Sequence, residues 1–195
     1  MHRLSASFVL GYHGCDASVG TRLLKNQSFR FSRNDYDWLG EGIYFWEANP
    51  LRGLHFAQEV ARREPKRIKK PFVVGAILDL GYCLDLTTHS GLSMAKDAYR
   101  AMAEAYSMLN KPLPVNRPEK FRHPLDCAVM NYLHQIRVER KQAPVDSVKG
   151  IFQEPSELYP GSAFLSKSHI QIAIRNPECI KGVFRVPENH LDRLV

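Results

Sequence analysis

Apolar positions recur along the chain with two different periods, and the switches between them mark the predicted elements. Phe8, Val9 and Leu10 are apolar and β-prone and run into Gly11-Tyr12-His13-Gly14, which predicts a strand ending in a turn. Val19 to Leu24 suits a short helix, and the polar, glycine-containing stretch Ser32 to Gly42 an ordered loop. Ile43 to Trp46 predicts a short buried strand. Asn49-Pro50 then starts a helix, since Asn can cap and Pro is tolerated at the first helical position. Leu51, Leu54, Ala57 and Ala61 line one face of it up to Arg63. Pro71 to Leu80 predicts a long strand, Gly91 to Asn110 a helix rich in Ala, Met and Leu, and the proline-rich Asn110 to Pro124 a loop. Asp126 is a candidate cap for a helix with Val129, Leu133 and Ile136 on one face. Val148 to Phe152, His169 to Ile174 and Val183 to Val186 are the remaining strands.

Strands gather at both ends and helices in the middle, which predicts an α+β fold rather than regular βαβ alternation. No internal repeat is visible, and neither a Gly-rich dinucleotide fingerprint nor a phosphate-binding P-loop is present. With 195 residues and no Gly/Ser/Pro-rich linker, one domain over residues 1–195 is expected.

Composition changes this picture little. The chain is 44% hydrophobic and 24% charged, ordinary for a globular protein. The N-terminal apolar stretch is too short for a signal-peptide core, and no apolar run approaches the roughly 20 residues that span a bilayer. Cys15, Cys83, Cys127 and Cys179 are scattered, without disulfide-scaffold density or metal-knuckle spacing. A reduced cytoplasm and no membrane association are therefore expected. His123, Cys127 and His134 form only a loose grouping, as do His13 and Cys15, so no metal is expected. The formal charge of +7 has a local source: Arg62, Arg63, Lys66, Arg67, Lys69 and Lys70 form a basic segment. Such a segment attracts phosphate backbones, and it reads equally well as a solvated helix end.

Three constellations carry candidate chemistry. In Tyr12-His13-Gly14-Cys15, glycine allows close approach of a ligand to the backbone and histidine offers a directional hydrogen-bonding group. In Trp38-Leu39-Gly40-Glu41-Gly42-Ile43-Tyr44-Phe45-Trp46, glycines flank a strand whose aromatics suit either a flat heterocycle or core packing. In Ser168 to Pro177, Gln171 shares a strand face with His169 and Ala173, opposite three Ile residues, and its amide needs partners.

Taken singly, each reads as packing. In this order, Tyr-His-Gly, Gly-Ile-Tyr-Phe and a late strand ending in Asn-Pro resemble the diphtheria-toxin-like and poly(ADP-ribose)-polymerase-like branch of the ADP-ribosyltransferases. The resemblance covers most of the chain except about Leu84 to Val145. It implies a split antiparallel β-sheet core with flanking and inserted helices, NAD+ as substrate and a His-Tyr-Glu triad on three strands. Position by position, it implies that His13 binds ribose, that the Gly14 backbone grips the nicotinamide carboxamide, and that Tyr44 packs on the nicotinamide. His55 or Phe56 falls where a second ring is expected, and Asn34 to Leu39 where a loop lines the donor site.

Two departures matter. Cys15 stands where the family usually has Ser or Thr, and Gln171 where it has the catalytic Glu. Cleaving nicotinamide from ribose develops positive charge, which a carboxylate stabilises and an amide does not; losing one such group typically costs on the order of 10²-fold or more in rate. Glu154 and Glu157, just upstream, are candidate replacements, with Glu154 preferred and Glu157 better read as an exposed loop carboxylate. The expected function is mono-ADP-ribosyl transfer to a macromolecular acceptor, nucleic acid before protein given the basic segment. The one-domain build resembles bacterial toxin or phage-defence transferases and implies an antitoxin-like protein as a partner. The rivals are a non-catalytic module binding NAD+, ADP-ribose or nucleic acid, and an NAD+ glycohydrolase.

Overall fold

A computed structural model describes residues 8–117, 122–153 and 156–191. The fold is mixed α+β, with seven strands and four α-helices among the described residues. The chain forms two compact units: one from the residues up to Arg30, Tyr44–Leu80 and Asn176 onward, the other from Phe31–Ile43 and Gly81–Arg175.

The first unit is built on antiparallel strands β1 (Phe8–Asp16), β2 (Ile43–Glu47), β3 (Pro71–Asp79) and β7 (Ile180–Arg185), in the order β2-β1-β3-β7. β1 does not turn at its glycines. It continues to Asp16, because β3 pairs with it at every step from Phe8↔Asp79 to Asp16↔Pro71. That ladder outweighs the local turn tendency of Gly11 and Gly14. Gly14 instead makes room: a Cβ there would lie 2.1 Å from the Gly53 carbonyl oxygen of helix α2 (Pro50–Arg63). α2 begins as its sequence predicts, with the Asn49 side chain accepting from Arg52 N at 3.0 Å. It buries Gly53, Ala57 and Val60, and Ala57 and Val60 pack with Ile68. Tyr12, Val73 and Val186 form a second core cluster with Leu54 and Phe184 against it.

Helix α1 (Ala17–Leu23) is capped by Asp16. The Asp16 carboxylate accepts from Ser18 N and Oγ and from the backbone N–H groups of Lys69 and Lys70. These donors, Lys70 N–H foremost, hold the carboxyl far below its usual pKa.

In the second unit, β4 (Cys83–Asp85) runs parallel to β5 (Ser147–Phe152), which pairs antiparallel with β6 (His169–Ile174). Helices α3 (His89–Met108) and α4 (Pro124–Glu139) pack on one another. α4 starts at Pro124, so Asp126 lies in its first turn and is not its cap. Pro124 has the φ suited to the first helical position, and Asn116 Oδ1, from outside the helix, accepts from Leu125 N (2.9 Å) and Asp126 N (3.4 Å). The three-residue β4 has too few residues for a period and exists through its pairing with β5. Val148, Ile172, Ala173 and Ile174 are fully buried on β5 and β6. Among the described residues, no helix is long and apolar enough to cross a membrane.

Candidate functional site

β1 and β2 pair at Gly11↔Glu47 and Tyr12↔Trp46, and the ladder stops there. Beyond that point the His13 side chain takes over, its Nδ1–H donating to the Tyr44 carbonyl at 2.8 Å. A carbonyl only accepts, so this bond fixes the neutral tautomer with the proton on Nδ1 and the lone pair on Nε2. Burial lowers the His13 pKa below the usual histidine value, with the Tyr44 bond opposing that shift. The ring packs edge-on against Phe29 (5.3 Å between centroids) and tilted against Phe45 (5.7 Å).

His13 and Tyr44 thus meet through a backbone carbonyl and not through the phenol. Strand alternation places Tyr44 with Trp46, on the side where Trp46 packs against Phe56 (4.9 Å) and beneath the Arg52 guanidinium (5.9 Å) of α2. Phe45 is on the other side, with His13. Of the two candidate second rings, Phe56 is committed to Trp46 and to the Ala57, Val60 and Ile68 cluster, whereas His55 is half-buried on α2. Cys15 is buried, and burial, with the Asp16 charge second, pushes its thiol up to about 12. It is a buried, protonated thiol in hydrogen-bond contact with the Gly20 backbone.

The second unit gathers around Trp38. Its indole N–H donates to Gln171 Oε1 at 2.6 Å, and its ring tilts against Phe152 at 5.5 Å. Gly150, paired with Gln171 across β5 and β6, admits the indole: a Cβ there would lie 2.7 Å from Trp38 Cη2. Phe152 also contacts His123 (5.6 Å) and His169 (5.4 Å). Because an indole only donates, the Gln171 carbonyl must face Trp38, which turns the amide NH2 the other way. Gln171 therefore presents donors where a carboxylate would present acceptors.

The loop holding Trp38 is ordered by its own polar groups. Asn34 N and Nδ2 donate to Asp37, Ser32 and Gly42 exchange backbone bonds, and Glu41 N donates to Asn131 Oδ1 at 2.9 Å. Arg175, after β6, donates to the Glu41 carbonyl at 2.8 Å. The Trp38–Gln171 pair was missed from sequence, although both residues stood out singly, because 133 positions separate them.

Glu154 lies outside the described residues. Glu157 is an exposed turn carboxylate that accepts from Gly161 N at 3.0 Å. Among the described residues, no group of three or more His, Cys, Asp or Glu is placed to hold a metal. Cys127 is a buried thiol raised to about 11, chiefly by burial, and it donates to the Asn34 carbonyl.

In the basic segment, Arg62, Arg63, Lys66, Arg67, Lys69 and Lys70 are all exposed, anchored by buried Ile68. Arg67 pairs with Glu64 at 3.7 Å. The charge excess of the chain is concentrated in this unit, whose sequence carries 14 Lys and Arg against 8 Asp and Glu; the second unit carries 13 against 12.

Comparison of the chain with protein-family models, curated proteins and solved structures yields no match.

Proposed function

We propose that the chain takes ADP-ribose from NAD+ and transfers it to a macromolecular acceptor, with nucleic acid as the acceptor class. The observation that carries this reading is the parting of β1 and β2 beyond Tyr12↔Trp46, bridged by the His13–Tyr44 bond. Past that pair a side chain, and not a backbone ladder, joins the two strands, which makes the parting the place where a ligand can approach them. The fixed tautomer gives His13 Nε2 as an acceptor for a ribose hydroxyl, and its lowered pKa keeps it so at neutral pH.

In this reaction the bond from ribose C1′ to the nicotinamide nitrogen breaks and its electron pair leaves with neutral nicotinamide. The acceptor nucleophile then bonds C1′ and loses a proton. By the family resemblance, Gln171 donates to the sugar and orients it without supplying charge, and Glu154 takes the acceptor proton. By the same resemblance Tyr44 packs on the nicotinamide; its ring is on the opposite side of β2 from His13, so the two meet one NAD+ only where β1 and β2 part, and His55 is the freer of the two candidate second rings. The exposed basic segment supports a phosphate-bearing acceptor over an acidic protein.

A second reading, a non-catalytic NAD+ or ADP-ribose module, is favoured by one observation: the acceptor oxygen of Gln171 is already engaged by Trp38. Incubation with NAD+ alone and then with RNA, DNA or cell lysate separates the readings. Transfer predicts nicotinamide release that needs an acceptor, and a mass gain of one ADP-ribose on that acceptor. Release into water alone means glycohydrolysis, and NAD+ binding without release means the module.

A further inference from the structure

The second unit contains a groove of about 410 Å³ between α3 and α4. Leu92, Ala95 and Tyr99 form one wall, Asp126 and Met130 the other, and the Trp38 indole closes one side. Its volume falls within the range of small-molecule sites, about 300–1,000 Å³. Three of its residues, Leu92 (55%), Tyr99 (39%) and Ile151 (50%), are large apolar or aromatic side chains left exposed. In an otherwise apolar lining, Asp126 is the single charged group.

We propose that this groove receives a nucleobase of the acceptor nucleic acid. The inference rests on the reading of the chain as an ADP-ribosyltransferase with such an acceptor. Four features select a nucleobase over an aliphatic ligand or a peptide. Trp38 and Tyr99 offer flat aromatic surface, on which any base stacks. Asp126 only accepts hydrogen bonds, so it matches a ring edge carrying N–H groups and disfavours a lipid chain. Its Oδ2 is occupied by Asn116 Nδ2 at 2.9 Å, with His123 Nδ1 at 3.4 Å, which holds the carboxylate in place and leaves Oδ1 for the base.

The fourth feature is location. Trp38 is both a wall of the groove and the hydrogen-bond partner of Gln171. A base stacked on Trp38 would lie one side chain away from Gln171. The indole is fixed by Gln171, Phe152 and the space left at Gly150, so it is preorganised to stack without paying much ordering entropy.

The chain contains two tryptophans, Trp38 and Trp46, so a W46F chain emits from Trp38 alone and its emission can report the groove. The test titrates the full chain, as wild type and as W46F, with the four nucleoside 5′-monophosphates and with ribose 5-phosphate. The expected result is quenching by nucleotides and not by ribose 5-phosphate. A95F, which fills the groove, should abolish the quenching, and D126L should weaken nucleotide affinity about tenfold. If W46F fails to fold, the comparison of wild type with A95F reads the same effect.

The proposal is overturned if no nucleotide alters emission, if ribose 5-phosphate matches the nucleotides, or if folded A95F quenches as wild type does. Quenching by an apolar dye without any by nucleotides overturns it too. NAD+ affinity is measured separately on the same samples. Nucleotide quenching in a chain that binds no NAD+ would retire the transferase reading and leave the groove assignment standing.

Discussion

Replacing Gln171 with glutamate tests the site at its weakest point. In the wild-type chain the Trp38 indole holds the Gln171 carbonyl at 2.6 Å, so the outward end of the amide is a donor. The variant's carboxylate keeps the indole bond on one oxygen and turns the other outward with lone pairs and charge. If residue 171 stands beside the ribose, that oxygen accepts from the 2′-hydroxyl and stabilises the positive charge developing at C1′. One preorganised electrostatic group is worth about 10²–10³ in kcat, or about 2.7–4 kcal/mol. Gln171 is half-buried and water screens part of this, so the lower end, about 10²-fold, is expected. The assay is nicotinamide release at saturating NAD+, with kcat separated from KM. The expected outcome is a raised kcat with KM nearly unchanged. A W38F/Q171E double variant should lose part of the gain, because the carboxylate is then no longer oriented. A folded Q171E chain with wild-type NAD+ affinity and an unchanged or lower kcat would refute the placement of residue 171 beside the reacting centre.

Other expectations follow from single contacts. His13→Ala removes one neutral acceptor and should weaken NAD+ binding about three- to tenfold by calorimetry; unchanged affinity in the folded variant would remove His13 from the site. Gly14→Ala puts a methyl group 2.1 Å from the Gly53 carbonyl oxygen and should destabilise by about 1–3 kcal/mol or more in urea, with m unchanged if α2 simply shifts. His134 is buried, and burial first, then Arg175 and Arg137, lower its pKa to about 3 from the ordinary 6.5. The unfolded chain therefore binds a proton that the folded chain refuses, so stability is full above pH 6.5 and falls as pH drops towards 3. The loss across that window is about 5 kcal/mol at about 1.4 kcal/mol per pKa unit, and a His134→Leu variant should flatten it. Parallel pH–stability curves for the two chains would contradict that origin.

What could be read from sequence was what depends on neighbours along the chain. The α2 start at Asn49-Pro50 needs only a cap and a proline, and it falls where it was expected. β3 was legible from its apolar run, and β6 from the alternation of Ile170, Ile172 and Ile174 with His169, Gln171 and Ala173. The turn expected at Gly11-Tyr12-His13-Gly14 failed because the glycines serve contacts made by β3 and α2, distant in sequence. Asp126 suggests a cap by residue type, whereas the side chain that accepts from the first turn, Asn116, lies outside the helix and reaches it across a loop. The candidate site shows the same division. His13, Gly14, Tyr44 and Gln171 stood out by residue type and order, whereas the His13–Tyr44 carbonyl bond and the Trp38–Gln171 pair depend on strand divergence and loop closure. Neither leaves a local pattern.

The interleaving of the two units has a consequence for synthesis. β3 finds its partner β7 only after the whole of Gly81–Arg175 has been made, since Val74 pairs with Arg185. The sheet that carries His13 and Tyr44 thus cannot be completed until β7 has been made, and the second unit is free to fold first. Closing so long an intervening segment costs little extra stability but delays folding. A cell making this protein would meet β1, β2 and β3 before β7 arrives, with the far edge of β3 open for as long as the second unit takes to be made.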